Sequence, residues 1–132
     1  MAKYLGGTDS QQEEVKAELI TPGLLTNDFV LNVSTGVFSK EKIGIKDNIS
    51  FYEEVTQENE KKFSIGWGIV GLAIFGPLGA LAGAILGGSK TKHIVAAQLN
   101  NGLRFVVQLD REEFVEWVNM MPHKAAPSGE EV

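Results

Sequence analysis

The sequence contains no cysteine and only two histidines, His93 and His123. Without cysteine, the chain has neither a disulfide framework nor a metal site built on thiolates. The net charge of −5 gives it no electrostatic basis for binding nucleic acid. The first residues lack the apolar run that a signal peptide requires, so we expect a cytoplasmic protein.

Charge is also absent from one long segment in the middle of the chain. Ile65–Gly88, called the glycine-rich segment below, holds no charged residue, and glycine recurs there every four residues at Gly79, Gly83 and Gly87. Each glycine inside a helix costs about 1 kcal/mol relative to alanine. A glycine stripe nevertheless lets two helices approach closely. The pattern predicts a segment that is either inserted in a membrane or buried in a tight helix–helix contact.

The chain as a whole has the composition of a single globular domain. It has 132 residues, of which 43% are hydrophobic and 22% charged. Alternating apolar residues predict strands within 15–20, 29–33, 43–45 and 49–55, and Asn100–Gly102 predicts a hairpin turn between apolar runs at 93–99 and 103–109. We expect one domain over residues 1–121, with the glycine-rich insert at 63–89 and a disordered tail at 122–132.

A C-terminal amphipathic helix is predicted after the last strand. Asp110 and Glu113 have the spacing of a capping box, and Pro122 ends the helix. Apolar residues follow the helical period, which places them on one inward face: Phe114, Trp117, Val118 and Met121.

Three stretches resemble one known family. GLLTNDFVL at residues 23–31, IGIKDNI at 43–49 and the closing hairpin and helix at 93–121 are similar to GRAM and related bacterial pleckstrin-homology-like domains. The resemblance implies an α+β fold: a strongly bent antiparallel sheet forming a small barrel, capped by the C-terminal helix. A glycine-rich helical hairpin would then be inserted before the last two strands. Such domains are mostly binding modules, often at membranes, although a fold alone fixes no function.

The motifs that suggest nucleotide binding or catalysis lack the surrounding residues and structure that those functions require. Gly66–Gly71 matches G-x-G-x-x-G, but no acidic residue follows before Asp110, so the partner for a ribose is missing. Residues 83–91 resemble a phosphate-binding loop, but a strand rather than a helix is predicted to follow. The adjacent acidic pairs fit a solvated surface better than an acid–base pair. We therefore expect no catalytic residues, no cofactor and no metal, and nucleotide binding is the weakest alternative.

The glycine-rich segment is predicted to be a re-entrant hairpin. The strands before and after it should share one sheet, so both its ends should lie on the same side of a bilayer. Pro77 between glycines predicts the reversal. Each arm, as a helix of about eleven residues, would extend roughly 16 Å. That is half of a hydrocarbon core of about 30 Å, so a wedge fits and a full span does not.

The predicted hairpin is consistent with two functions. It could bind the inner face of a membrane, with flanking lysines near anionic headgroups, or it could hold copies of the chain together as a soluble homo-oligomer. An unidentified protein partner is a further alternative. Trp67 could sit at the membrane interface or in the core. The residues assigned to membrane or self-association are Trp67, Gly71, Phe75, Pro77, Gly79, Gly83, Gly87, Lys61, Lys62, Lys90 and Lys92.

Overall fold

The computed structural model describes residues 2–11, 13–23, 27–34, 40–56, 59, 62–69 and 92–122. Most of the elements in these ranges are β-strands. In chain order the elements are β1 (Lys3–Thr8), β2 (Ala17–Ile20), β3 (Val30–Ser34), β4 (Lys40–Gly44), α1 (Ile45–Asn48), β5 (Ile49–Glu54), a π-helical turn (Lys62–Gly66), β6 (Lys92–Leu99), β7 (Arg104–Asp110) and α2 (Arg111–Met120).

The strands form two antiparallel sheets. One has four strands in the order β1-β7-β6-β5, and the other has three in the order β2-β3-β4. The predicted Asn–Gly hairpin joins β6 to β7, and Gly102 takes the positive φ of +94° that such a turn needs. Because side chains alternate along a strand, the four-stranded sheet has two apolar faces. Its inner face turns toward the three-stranded sheet, and its outer face turns away.

The main core lies between the two sheets and α2. Trp117 is fully buried in it, as the helical spacing predicts. Its ring meets Phe29 and Tyr52 edge to face, at centroid distances of 5.0 and 5.8 Å. These contacts bring together the chain before β3, strand β5 and the helix, so one side chain links both sheets. Burial raises the pKa of Tyr52.

Helix α2 begins with the capping box that the sequence predicts. The Asp110 carboxylate accepts a hydrogen bond from the Glu113 backbone N–H at 2.9 Å, and the Glu113 side chain accepts one from the Asp110 N–H at 2.9 Å. The bond from the Glu113 amide lowers the pKa of Asp110. This pairing satisfies two of the backbone donors that a helix start leaves open.

The predicted fold class is wrong: the strands do not form one bent sheet closed into a barrel. Within the described ranges no ladder joins β4 to β5, which lie at the edges of different sheets. The reason is local. Asp28 accepts the Lys46 backbone N–H and Asn48 donates to the Gly44 carbonyl, which stabilises the helical turn α1 between the two strands that the sequence predicts at 43–45 and 49–55. The turn puts Ile45 and Ile49 into the core instead of pairing the two edges.

Strand β1 was not predicted, because its two glycines are poor strand formers. It pairs with β7 and carries an irregularity between Tyr4 and Gly6. A Cβ at Gly7 would lie 2.5 Å from the Tyr4 hydroxyl and 2.7 Å from the Arg104 carbonyl oxygen, so only glycine fits there. The Tyr4 hydroxyl donates to the Val15 carbonyl at 2.5 Å, and burial raises its pKa. This contact ties the edge of the four-stranded sheet to the chain that enters β2.

The predicted helical hairpin is not shown. A π-helical turn ends at Gly66, and residues 67–69 are not helical, with Gly68 at a φ of +72°. A left-handed glycine at this point ends helical backbone in the way that glycine commonly does after a helix. The predicted reversal at Pro77 and the second arm lie outside the described residues.

Candidate membrane or self-association site

Residues 62–69, called the crossing strip below, pass over the outer face of the four-stranded sheet. Phe63 and Trp67 are its buried aromatic residues, 0% and 6% exposed. Their rings lie 4.8 Å apart and nearly perpendicular, and the Trp67 ring lies 6.3 Å from that of Phe51. Together with outer-face residues of the sheet they form a second apolar cluster, whose buried members are Val55, Phe63, Trp67, Ile69, Ile94, Ala96 and Val106.

The far end of the crossing strip is fixed at β1. The Thr8 hydroxyl, itself buried, donates to the Trp67 carbonyl at 3.0 Å. Ile69 lies against Gly6, where a Cβ would come within 2.8 Å of the isoleucine Cγ2. The strip therefore starts beside β5, at one edge of the sheet, and reaches β1 at the other edge.

The residues on either side of the stretch 70–91 lie on the same sheet. Ile69 rests on β1, and Lys92 opens β6, where it pairs in register with Asp110 of β7. Residues 70–91 connect these two points. The strands on either side of the glycine-rich segment, β5 and β6, share one sheet, as the sequence predicts.

Two of the four flanking lysines, Lys62 and Lys92, are less available to lipid than the sequence suggested. Lys62 donates to the Glu53 carboxylate at 2.8 Å, and its ammonium lies 5.2 Å from the Phe63 ring centroid. Lys92 is half-buried, and its charge contributes to the lowered pKa of Asp110. Each of these two lysines thus has a carboxylate nearby, which weakens its attraction to anionic headgroups.

Of the residues assigned from sequence, the structure places these two lysines and Trp67. Trp67 lies in the second apolar cluster, so its ring is packed against the sheet. The remaining predicted positions lie outside the described residues: Lys61, Gly71, Phe75, Pro77, Gly79, Gly83, Gly87 and Lys90.

His93 has a carboxylate partner that sequence reasoning missed. Its Nδ1 lies 2.8 Å from Oε2 of Glu54, and its ring stacks on Phe114 at 4.2 Å with an interplanar angle of 6°. Strand pairing of β5 with β6 brings Glu54 beside His93, and no local motif indicates it. The contact packs α2 against the end of the core. Among the described residues no group of three or more histidine or acidic side chains could hold a metal ion.

A polar cleft lies on the outer side of the same sheet, next to the crossing strip. Its volume is about 550 Å³, and it is lined by the loop after β1, the β6–β7 turn and Arg104. Arg104 lies over Trp67, with its guanidinium carbon 5.3 Å from the ring centroid, and its Nε donates to Gln98 at 3.1 Å. Apart from the Asn–Gly turn, nothing in the sequence marked these residues.

No family model, curated protein or solved structure matches this chain. The resemblance to GRAM-type domains therefore stays a prediction. In the part of the chain that the structure describes, no helix is long and apolar enough to cross a bilayer.

Proposed function

We propose that this protein is a non-enzymatic module that associates peripherally with a membrane through residues 70–89, presented on a rigid β scaffold. The observation that carries the proposal is the anchoring of both ends of this uncharged stretch on one sheet, at Ile69 and Lys92. Since the crossing strip already covers the outer face of that sheet, the apolar residues beyond it need another covering surface.

The apolar side chains outweigh the lysines in this proposal. Residues 70–89 contain eight large aliphatic or aromatic side chains: Val70, Leu72, Ile74, Phe75, Leu78, Leu81, Ile85 and Leu86. At about 0.5 kcal/mol each on the insertion scale they supply roughly 4 kcal/mol. A free lysine near an anionic surface adds about 1 kcal/mol, and Lys62 is already paired with Glu53. Binding should therefore depend only weakly on salt.

The test replaces residues 70–89 with a glycine–serine linker of the same length. Equal length keeps the loop-closure entropy nearly unchanged, and the boundary spares Trp67 and Ile69, which a deletion starting at Gly66 would remove. Flotation with vesicles of mixed zwitterionic and anionic phospholipid is then compared for the two proteins. We expect the wild type to float at both 0.1 and 0.5 M salt and the linker variant to stay at the bottom.

Self-association through the glycine stripe is the competing outcome. Gly83→Leu places a side chain where a second backbone would approach, so it should dissociate a homo-oligomer but leave vesicle flotation intact. Light scattering of both proteins without detergent measures this directly. A wild type that is oligomeric, turns monomeric with Gly83→Leu and does not float would replace membrane association with subunit assembly.

A further inference from the structure

Two opposite charges line the polar cleft without pairing with each other. The cleft holds the Arg104 guanidinium and the Asp9 carboxylate. Within the described chain the Arg104 side chain makes one hydrogen bond, to Gln98, and one ring contact, with Trp67, while the Asp9 carboxylate accepts hydrogen bonds from the backbone of its own loop. In a protein of net charge −5, one cleft that holds a fixed cation and an anion with no counter-charge among the described residues suits a ligand that carries both charges.

Arg104 is held in place before any ligand arrives. Its planar guanidinium lies over the Trp67 ring, and its Nε is occupied by the Gln98 side-chain oxygen. The two terminal amino groups have no partner among the described residues. A guanidinium held in this way presents the paired donors that match two oxygens of a phosphate or carboxylate.

Asp9 is likewise fixed, by its own loop. Its Oδ1 accepts the backbone N–H groups of Gln11 at 2.8 Å and Glu13 at 3.0 Å, while Oδ2 accepts none from the described residues. The loop is packed tightly onto the β6–β7 turn, since a Cβ at Gly102 would lie 3.2 Å from that of Ser10. The free carboxylate oxygen is therefore an acceptor for an ammonium group.

We propose that this cleft binds phosphoethanolamine, with the phosphate oxygens on Arg104 and the primary ammonium on Asp9. A volume of about 550 Å³ lies within the range of small-molecule sites. The same chemistry occurs in the free compound and in the headgroup of a phospholipid. That the headgroup is the natural source rests on the proposed membrane association, because the cleft adjoins Trp67, three residues before the stretch that we propose enters the membrane.

In the test, the full-length protein is titrated with free phosphoethanolamine and, in a separate experiment, with inorganic phosphate. Binding is measured from the amide NMR shifts of the loop after β1 and of the β6–β7 turn. Asp9→Asn keeps an oxygen for the two loop N–H groups but removes the anion. We expect it to weaken phosphoethanolamine binding at least tenfold and to leave phosphate binding equal or stronger. Arg104→Gln should weaken both ligands at least tenfold. Arg111→Gln, the same charge change at an exposed helix position, should weaken neither.

The outcomes separate this site from the proposed function. Saturable NMR shifts with free phosphoethanolamine that depend on Asp9 support the site, whether or not the wild-type protein binds vesicles. If it does not bind vesicles, only the proposed membrane association fails. Equal loss of both ligands in Asp9→Asn, or shifts that Arg104→Gln leaves unchanged, would overturn the assignment. Vesicle flotation that is the same for ethanolamine and choline headgroups, together with no binding of the free compound, would overturn it while leaving membrane association standing.

Discussion

Trp67 gives the sharpest test of how the crossing strip is held. A tryptophan side chain buries roughly 150–250 Å², and this one is 6% exposed. At about 25 cal/mol per Å² its burial stabilises the fold by roughly 3.5–6 kcal/mol, an upper bound because unfolded chains bury some apolar surface already. Trp67→Ala should therefore lower the free energy of unfolding by about 3–5 kcal/mol, the usual range for a buried tryptophan.

Urea unfolding followed by far-ultraviolet circular dichroism measures this loss. With an m value of about 1.5 kcal/mol/M, a loss of about 4 kcal/mol lowers the midpoint by about 2.7 M. Trp67→Phe is the matched control, since it keeps an aromatic ring against Phe63 and should lose less than half as much. Trp117, then the only tryptophan, reports on the main core by fluorescence.

A change below about 1 kcal/mol in Trp67→Ala would refute the packed position of this ring. It would mean that the crossing strip does not cover the sheet and that Trp67 is available to a membrane or a partner. The anchoring of Ile69 on β1 would then lose its basis.

Three further substitutions test the fold. Trp117→Ala should destabilise by about 3–5 kcal/mol in the same urea assay, and a smaller loss than 1 kcal/mol would contradict its place between Phe29 and Tyr52. Gly7→Ala should cost about 1–3 kcal/mol from crowding against Tyr4 and Arg104, and an unchanged melting temperature would contradict that contact. Asp110→Ala should cost about 1 kcal/mol at pH 7 through loss of the helix cap, with Asp110→Asn as the control that keeps a capping oxygen. The pKa of Asp110 in the folded protein lies below its ordinary value of 3.8, so its charge stabilises the fold above about pH 3.8 and loses this effect as the pH falls below that value. The unfolding free energies of wild type and Asp110→Asn should therefore converge in strong acid. A difference that stays constant down to about pH 2 would contradict the lowered pKa.

The parts of the fold set by local chemistry could be predicted from the sequence. The Asn–Gly turn and the capping box depend on residues only a few positions apart, and both are present. Trp117 faces inward because the helical period fixes its direction.

The parts set by distant contacts could not be predicted. Strand β1 contains two glycines that are needed for close approach to Tyr4 and Ile69, so a constraint from elsewhere in the chain overrides strand propensity. The irregularity between Ile49 and Phe51 turns Phe51 to the outer face, which a strict alternation does not foresee. The Arg104–Asp9 cleft joins residues far apart in sequence, so no motif spacing could mark it.

One measurement tests directly whether residues 70–89 enter a bilayer from a fixed scaffold. The chain has no cysteine, so a single environment-sensitive fluorophore can be attached at one introduced cysteine. Two variants are compared: Leu81→Cys, and Ser34→Cys on the exposed end of β3. Vesicles containing lipids with a quencher in the acyl chain should quench the probe at residue 81 and leave the probe at residue 34 unaffected, at low and high salt alike. Equal, negligible quenching at both positions would contradict the account.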